Sequence, residues 1–214
     1  MSRLERRVGQ LHDEVSEPNQ RKILRHYRDQ LREILQDTGA LMRLDHEIKL
    51  ASGEMSRDFI DGKLAVATPD HLDIAGAAML EAAHQANVDF EAVGGMVLGA
   101  VPYTFAIASK ARVAWFLIRK EPKGRGTNRW TEGVRLSPGL PVIVVDDVVT
   151  TGGSIREACE RAEAEGAKVV FATTLVDRGD VASQYFEGRG IPYVPMLTYR
   201  DLGIEPIGRG QVVA

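Results

Sequence analysis

The sequence predicts an α/β fold, a mostly parallel sheet covered by helices on both faces and preceded by a helical arm. Three observations carry the prediction. From about residue 60 onward, short continuous apolar runs alternate with segments of helical periodicity. Before about residue 40 the apolar residues recur only at helical spacing. The length of 214 residues, 44% of them hydrophobic, suffices for one large domain with a real core.

The arm, residues 1–40, carries two apolar stripes. Leu4, Val8, Leu11 and Val15 form the first; Ile23, Leu24, Tyr27, Leu31, Ile34 and Leu35 form the second. Glu17-Pro18-Asn19 separates them, because proline disfavours helix in the residue before it, and Gly39 is a C-terminal stop. A helical hairpin or a packing arm covering one flank of the core follows. Arg21, Lys22, Arg25, Arg28 and Arg32 raise the alternative of a DNA-reading module, but interleaved acids make a solvated face the simpler account.

The second region, 41–214, holds the sheet. Thr68-Pro69-Asp70 starts a helix, with Thr68 as cap and Pro69 at the first helical position. The alanine-rich stretch 72–87 that follows suits a helix packed closely on a sheet. FEAVGG, RVAWFLI, LPVIVVDD and KVVFATTLVD are short apolar strands, and YVPML is a further candidate. Helices are expected around 98–110 and 154–165. Val142 to Val145 is the clearest buried parallel strand.

Composition excludes several classes. Lys plus Arg is 27 and Asp plus Glu 30, a net charge of −3, so there is no overall pull toward nucleic acid or anionic membrane. The single cysteine, Cys159, allows no intrachain disulfide and no cysteine-based zinc site. No apolar run approaches the ~18 residues that span a bilayer, and the N-terminus lacks a signal-peptide core. A cytoplasmic protein without membrane association is expected.

The most informative stretch is VIVVDDVVTTGGS, residues 142–154. An apolar strand runs into two carboxylates, then a Thr-Thr-Gly-Gly-Ser loop, then an amphipathic helix. In open parallel sheets ligands bind beyond the carboxyl ends of strands, where this loop would lie. Gly152 and Gly153 let the backbone curl close to a ligand, the new helix offers N–H groups and its positive dipole end, and Thr150, Thr151 and Ser154 add hydroxyl donors. Together they describe a cradle for one phosphate. Asp146 and Asp147 would repel a bare anion, so they face either the vicinal hydroxyls of a ribose or a magnesium ion with its waters. Neither a G-x-x-x-x-G-K-[ST] loop nor a strand-to-helix G-x-G-x-x-G occurs.

This stretch resembles the phosphoribosyl-pyrophosphate (PRPP) signature of type I phosphoribosyltransferases. Four further segments are similar to the orotate phosphoribosyltransferase family: LASGEMSRDFIDGK to its base-binding region, VGGMVLGAVPYTFAIA to its pyrophosphate loop and following helix, FLIRKEPKGRGTNRWTEG to its catalytic loop, and LVDRGD to the segment whose arginine, here Arg178, lies near orotate. The resemblance spans roughly residues 40–205. It implies a Rossmann-like sheet with a small hood, and transfer of ribose 5-phosphate from PRPP to a base nitrogen with release of pyrophosphate in the presence of Mg2+. Under it, Thr150, Thr151, Gly152, Gly153 and Ser154 hold the 5′-phosphate, and Asp146 and Asp147 face the ribose and any metal, indirectly through PRPP and water. A turn from Gly94 to Gly99, including Gly95, Met96 and Val97, offers amides to pyrophosphate. Arg119, Lys120, Lys123 and Arg125 supply cations for the leaving group on a glycine-bearing lid. Ser52 and Phe59 close the base pocket, and Arg178 pairs with the orotate carboxylate. The lid reaches a neighbouring subunit in this family, so a homodimer is implied.

Three positions depart from the family pattern. Arg125 stands where histidine is common and cannot exchange a proton at neutral pH. Ala51 stands where many members have lysine, and Gly99 occupies a loop position that often carries lysine. The first two bear on the base more than on PRPP. The alternatives are a phosphoribosyltransferase for another base, or a PRPP-sensing regulator that binds nucleic acid through the basic N-terminal helices. Arg178 weighs against the first, and retention of Lys120, Lys123 and the glycine-rich lid against the second.

Overall fold

The strand Pro141–Val149 organises the molecule. The computed structural model describes residues 17–50, 52–121 and 130–208; the stripe Leu4, Val8, Leu11 and Val15, together with Ala51, Lys123 and Arg125, lies outside them. In chain order the described elements are α1 (Glu17–Asp37), β1 (Leu41–Lys49), β2 (Met55–Ile60), α2 (Gly62–Ala65), α3 (Pro69–Gln85), β3 (Ala92–Met96), α4 (Val101–Ala111), β4 (Ala114–Ile118), β5 (Thr131–Gly133), β6 (Pro141–Val149), α5 (Gly153–Ala164), β7 (Lys168–Asp177), α6 (Val181–Gly188), β8 (Tyr193–Thr198) and α7 (Tyr199–Leu202). Six strands form one sheet in the order β5-β4-β3-β6-β7-β8. All neighbours are parallel except β5, which runs antiparallel to β4 at the edge. The chain thus leaves β3 outward to β4 and returns to β6 on the other side. That reversal opens a crevice between the carboxyl ends of β3 and β6, where doubly wound sheets place ligands.

Alternation along β6 explains its apolar run. Val142 and Val144 pack into one core cluster with Phe116, Ile155 and Phe186, while Ile143 and Val145 pack into the other with Leu31, Met79 and Ile107. With helices on both faces, every residue of the run must be apolar. The threonines of the neighbouring β7 satisfy their hydroxyls locally: Thr173 Oγ1 donates to Val194 O at 2.7 Å, and Thr174 Oγ1 to Asp147 O at 3.0 Å.

The helix boundaries follow their capping chemistry. Thr68 accepts a hydrogen bond from His71 N at 3.3 Å and Pro69 opens α3; Gly39, at φ +68°, ends the turn after α1. Leu24, Leu31, Ile34 and Leu35 of α1 are buried in the same cluster as the sheet, whereas Ile23 of the expected stripe is exposed. The alanine-rich α3 packs chiefly between α1 and α4 and reaches the sheet through β7 and β8. Small side chains here serve helix–helix approach more than helix–sheet contact. The β1–β2 antiparallel hairpin, the three-residue β5, and the short helices α2, α6 and α7 were not legible as periodic patterns. The hairpin is a separate two-stranded sheet, and it caps the carboxyl end of the main sheet as the hood.

Gly76 marks the tightest helix contact. A methyl group there would lie 2.7 Å from Ala106 Cβ on α4. Alanine improves helix propensity by ~1 kcal/mol over glycine, but overpacking against a side chain that cannot swing away costs ~1–3 kcal/mol. Gly76→Ala is therefore expected to lower the urea midpoint, for a net loss of about 1 kcal/mol. A raised midpoint would show that the two helices can part freely.

Candidate active site

The crevice is a cleft of about 220 Å³ lined from three directions. The hood contributes Leu50, Ser52, Phe59 and Ile60; the end of β6 and its loop contribute Asp146 and Val148 to Ser154; Arg178 closes the far wall from the end of β7. Nine residues singled out in the sequence meet there: Ser52, Phe59, Asp146, Thr150, Thr151, Gly152, Gly153, Ser154 and Arg178. Gly152 adopts φ +81° as the residue preceding α5, a left-handed conformation that a side chain would strain. Its carbonyl accepts Arg156 N at 2.9 Å, so the amides of the first turn face outward into the cleft.

The two aspartates behave differently. Asp146 is buried, and its Oδ1 accepts the Asp147 amide at 2.9 Å. Burial, then the adjacent Asp147 charge, pushes its carboxyl well above the usual range, while Lys120 pulls the other way. Asp147 is wedged: a methyl at Gly99 would overlap its carboxylate, and one at Gly62 would lie 2.8 Å from its Cβ. Its Oδ1 accepts Val148 N at 2.9 Å, and its Oδ2 lies 3.4 Å from Lys63 Nζ. Lys63 also lies 3.4 Å from Asp61 Oδ1. Partial burial works against its charge, but Asp147 and Asp61 outweigh it and hold the ammonium above its ordinary pKa. Tyr103 completes the setting by donating to Gly62 O at 2.6 Å.

Sequence reasoning did not single out Lys63, Gly62 or Tyr103. Lys63 and Asp147 are 84 positions apart, and no local pattern links them.

Arg178 is 1% exposed. Its Nη1 donates to Asp58 O at 2.8 Å and its Nη2 to Ser56 Oγ at 3.0 Å, both on the hood, and its Nε has no partner. It makes no ion pair with the neighbouring Asp177 or Asp180. Asp177 instead accepts from Gly179 N and Tyr193 OH, and Asp180 from Tyr199 OH and Arg200. Burial works against its charge and the nearby Asp58 and Glu54 carboxylates favour it, while its direct hydrogen bonds go to neutral acceptors and leave donors for an incoming anion.

Other predicted positions fall elsewhere. Gly95 and Met96 lie inside β3 and are buried, so the turn expected from Gly94 to Gly99 begins only at Val97. These glycines permit strand contact: a methyl at Gly94 would overlap Phe116, and one at Gly95 would overlap Val145 O. Val97 N is already bonded to Ile118 O at 2.8 Å. Arg119 turns toward β5, with Nη1 3.3 Å from Glu132 Oε1 and its amide on Trp130 O at 2.8 Å. Arg119 and Lys120 line a separate, open groove with Val97, Leu98 and Leu117 rather than the cleft. Among the described residues no cluster of three or more His, Cys, Asp or Glu could hold a metal by itself, and no helix is long and apolar enough to cross a membrane.

Comparison with known proteins agrees with this geometry. The phosphoribosyl transferase domain family matches residues 72–185. The orotate phosphoribosyltransferase of Rhodopirellula baltica is 35% identical over 181 residues, covering 80% of this chain and 92% of that protein. Among solved structures, the orotate phosphoribosyltransferase of Aeropyrum pernix superposes with a TM-score of 0.68 at 30% identity, over 80% of this chain and 95% of that one. The Mycobacterium tuberculosis orotate phosphoribosyltransferase in complex with PRPP gives a TM-score of 0.65 at 28% identity, over 83% of this chain and 99% of that one.

The Asp177 carboxyl is pushed up to about 6, first by burial. A raised folded-state value means that the protonated form is the one the fold favours. Its stabilisation is complete at low pH and is lost as pH rises from about 4 through about 6. Asp177→Asn keeps an acceptor for Gly179 N and removes the titration. Relative to wild type, the variant should gain about 2 kcal/mol between pH 4.5 and pH 8 in chemical denaturation. A pH-independent difference would show that this carboxyl does not titrate in that window.

Proposed function

The chain belongs to the phosphoribosyltransferase family, in its orotate phosphoribosyltransferase branch, and on that premise we propose how its own residues carry the reaction. The activity is transfer of ribose 5-phosphate from PRPP to orotate, giving orotidine 5′-monophosphate and pyrophosphate, a step of pyrimidine nucleotide synthesis. The observation that carries the residue assignment is the convergence of a phosphate cradle, a buried carboxylate and a buried guanidinium on one cleft.

Thr150 to Ser154 and the first turn of α5 bind the 5′-phosphate. Asp146 and Asp147 orient the ribose hydroxyls, and Asp147 favours the positive charge that develops at the anomeric carbon as the C–O bond to pyrophosphate breaks. Arg178 takes the orotate carboxylate on the donors left over from the hood, with Ser52 and Phe59 bounding the ring. The turn after β3 serves pyrophosphate through the amides of Leu98 and Gly99, since Gly95 and Met96 are strand residues and Val97 N is committed to β4. Lys120, Lys123 and Arg125 neutralise the leaving group, with Arg119 bracing the root of their loop against Glu132. Arg125 cannot take the proton that orotate nitrogen loses, so that proton leaves by another route.

The residues present suit magnesium. Asp146 and Asp147 offer hard oxygen donors beside a phosphate cradle, and too few of them to form an all-protein cage. A magnesium ion held through PRPP and water would add charge neutralisation on the pyrophosphate.

A homodimer fits the surface. Phe105 and Trp115 are partly exposed and meet edge to face at 5.0 Å, and Leu98 is 66% exposed beside the groove of Arg119 and Lys120. A second copy covering this patch would lie beside the groove of Arg119 and Lys120, at the root of the loop that the resemblance extends to the neighbouring subunit. We assign the protein to the cytoplasm, with residues 41–214 as the transferase domain and residues 1–40 as an N-terminal arm, of which α1 packs against one flank of the core.

A pyrophosphate-release assay with PRPP, magnesium and a panel of bases should give turnover with orotate and little with uracil, which lacks the carboxylate. Equal rates with both would remove the role of Arg178. Asp147→Asn should lower kcat on the order of 100-fold without altering the thermal midpoint much; full activity would end the ribose assignment. Lys123→Ala should lower kcat more than it weakens PRPP binding. Mixing the two inactive variants should restore part of the activity if the loop acts across the interface.

A further inference from the structure

The strand that carries the base-side contacts also carries an acid that none of the roles above uses. Glu54, Ser56 and Asp58 stand at alternate positions at the start of and along β2, and therefore share one face of it. Ser56 Oγ and Asp58 O accept the Arg178 guanidinium. Glu54 accepts from the far end of the chain: Gly208 N lies 3.0 Å from both Oε1 and Oε2. The residue before it closes the figure, because Ile207 N donates to Arg178 O at 2.7 Å. Arg178 is therefore enclosed in a ring of hydrogen bonds. Its guanidinium is tied to β2, β2 to Glu54, Glu54 to Gly208, and Ile207 back to the Arg178 backbone.

Packing around the ring leaves little slack. Ile207 is 5% exposed. A methyl at Gly179 would overlap Ile207 O, so the residue after Arg178 has to be small for the segment to lie there. Gly208 has φ +81°, and a methyl on it would lie 2.8 Å from Val181 Cγ2. The C-terminal segment thus passes tightly across the β7–α6 loop before it reaches the hood.

We propose that Glu54 and the segment Ile207–Gly208 are positioning residues for Arg178, tethering the hood to the end of β7 so that the guanidinium meets orotate in a fixed orientation. The proposal rests on the reading of Arg178 as the orotate-carboxylate partner. An unrestrained hood would let β2 drift from β7, and each orotate bound would then have to reorder both.

The test is steady-state kinetics with orotate and PRPP on Glu54→Ala, Glu54→Gln, a chain ending at Pro206, and Arg178→Gln. Losing one hydrogen bond to a charged acceptor should raise KM for orotate by roughly three- to ten-fold in Glu54→Ala, with KM for PRPP within about two-fold. Glu54→Gln keeps a carbonyl acceptor for Gly208 N and should restore most of the affinity. The shortened chain should match Glu54→Ala, and combining the two changes should add little, as expected for partners in one interaction. An unchanged orotate KM in Glu54→Ala, a parallel rise in both KM values, or failure of Glu54→Gln to rescue would each overturn the tether. Arg178→Gln separates the two levels. If it raises orotate KM while Glu54→Ala does not, only the tether falls; if it leaves orotate KM unchanged, the reading of Arg178 falls and the tether with it.

Discussion

A strand buried on both faces has to end in two carboxylates, and most of the site is arranged around that constraint. Charge at the end of an apolar strand is expensive. Asp146 meets the cost by being driven toward its protonated form and by accepting the next amide in the chain. Asp147 meets it with a cation, Lys63, and with walls so close that only glycine fits on either side. Gly62 and Gly99 come from different elements, one leaving the hood and the other following β3, and Tyr103 fastens the first of them. The carboxylate is therefore fixed before any ligand arrives, which is the condition for electrostatic stabilisation without reorganisation.

Arg178 shows the complementary solution. A guanidinium with 1% exposure would ordinarily be neutralised by a carboxylate. Here its hydrogen bonds go to a backbone carbonyl and a serine hydroxyl, and its own backbone is fixed by Val149 O on one side and Ile207 N on the other. Neutral partners orient the group while leaving its charge available. The cleft therefore brings together the hydroxyls and glycines of residues 150–154, one acidic side chain, Asp146, and one cation, Arg178. That set of groups suits a sugar phosphate and an anionic base.

The places where residue patterns misled share one cause. Gly94 and Gly95 look like turn glycines, yet they are strand residues made small by Phe116 and by Val145 O. The alanines of α3 look like a face for the sheet, yet they mainly let α1 and α4 approach. A small residue signals close contact without saying with what. Arg119, expected among the leaving-group cations, makes a partly exposed ion pair with Glu132 at the loop root.

What the sequence determined was encoded within a few residues: the alternation of apolar runs and helices, the Thr68-Pro69 helix start, and the succession of strand, acids, glycines and helix over 142–154. Local periodicity and turn chemistry are short-range properties, and they survive in the folded chain. Tertiary structure decided the partners: Lys63 with Asp147 across 84 positions, Arg178 with Asp58 across 120, and Gly208 with Glu54 across 154. Such pairings depend on how the sheet twists and where the hood comes to rest, and those are fixed by the sum of the packing rather than by any segment alone.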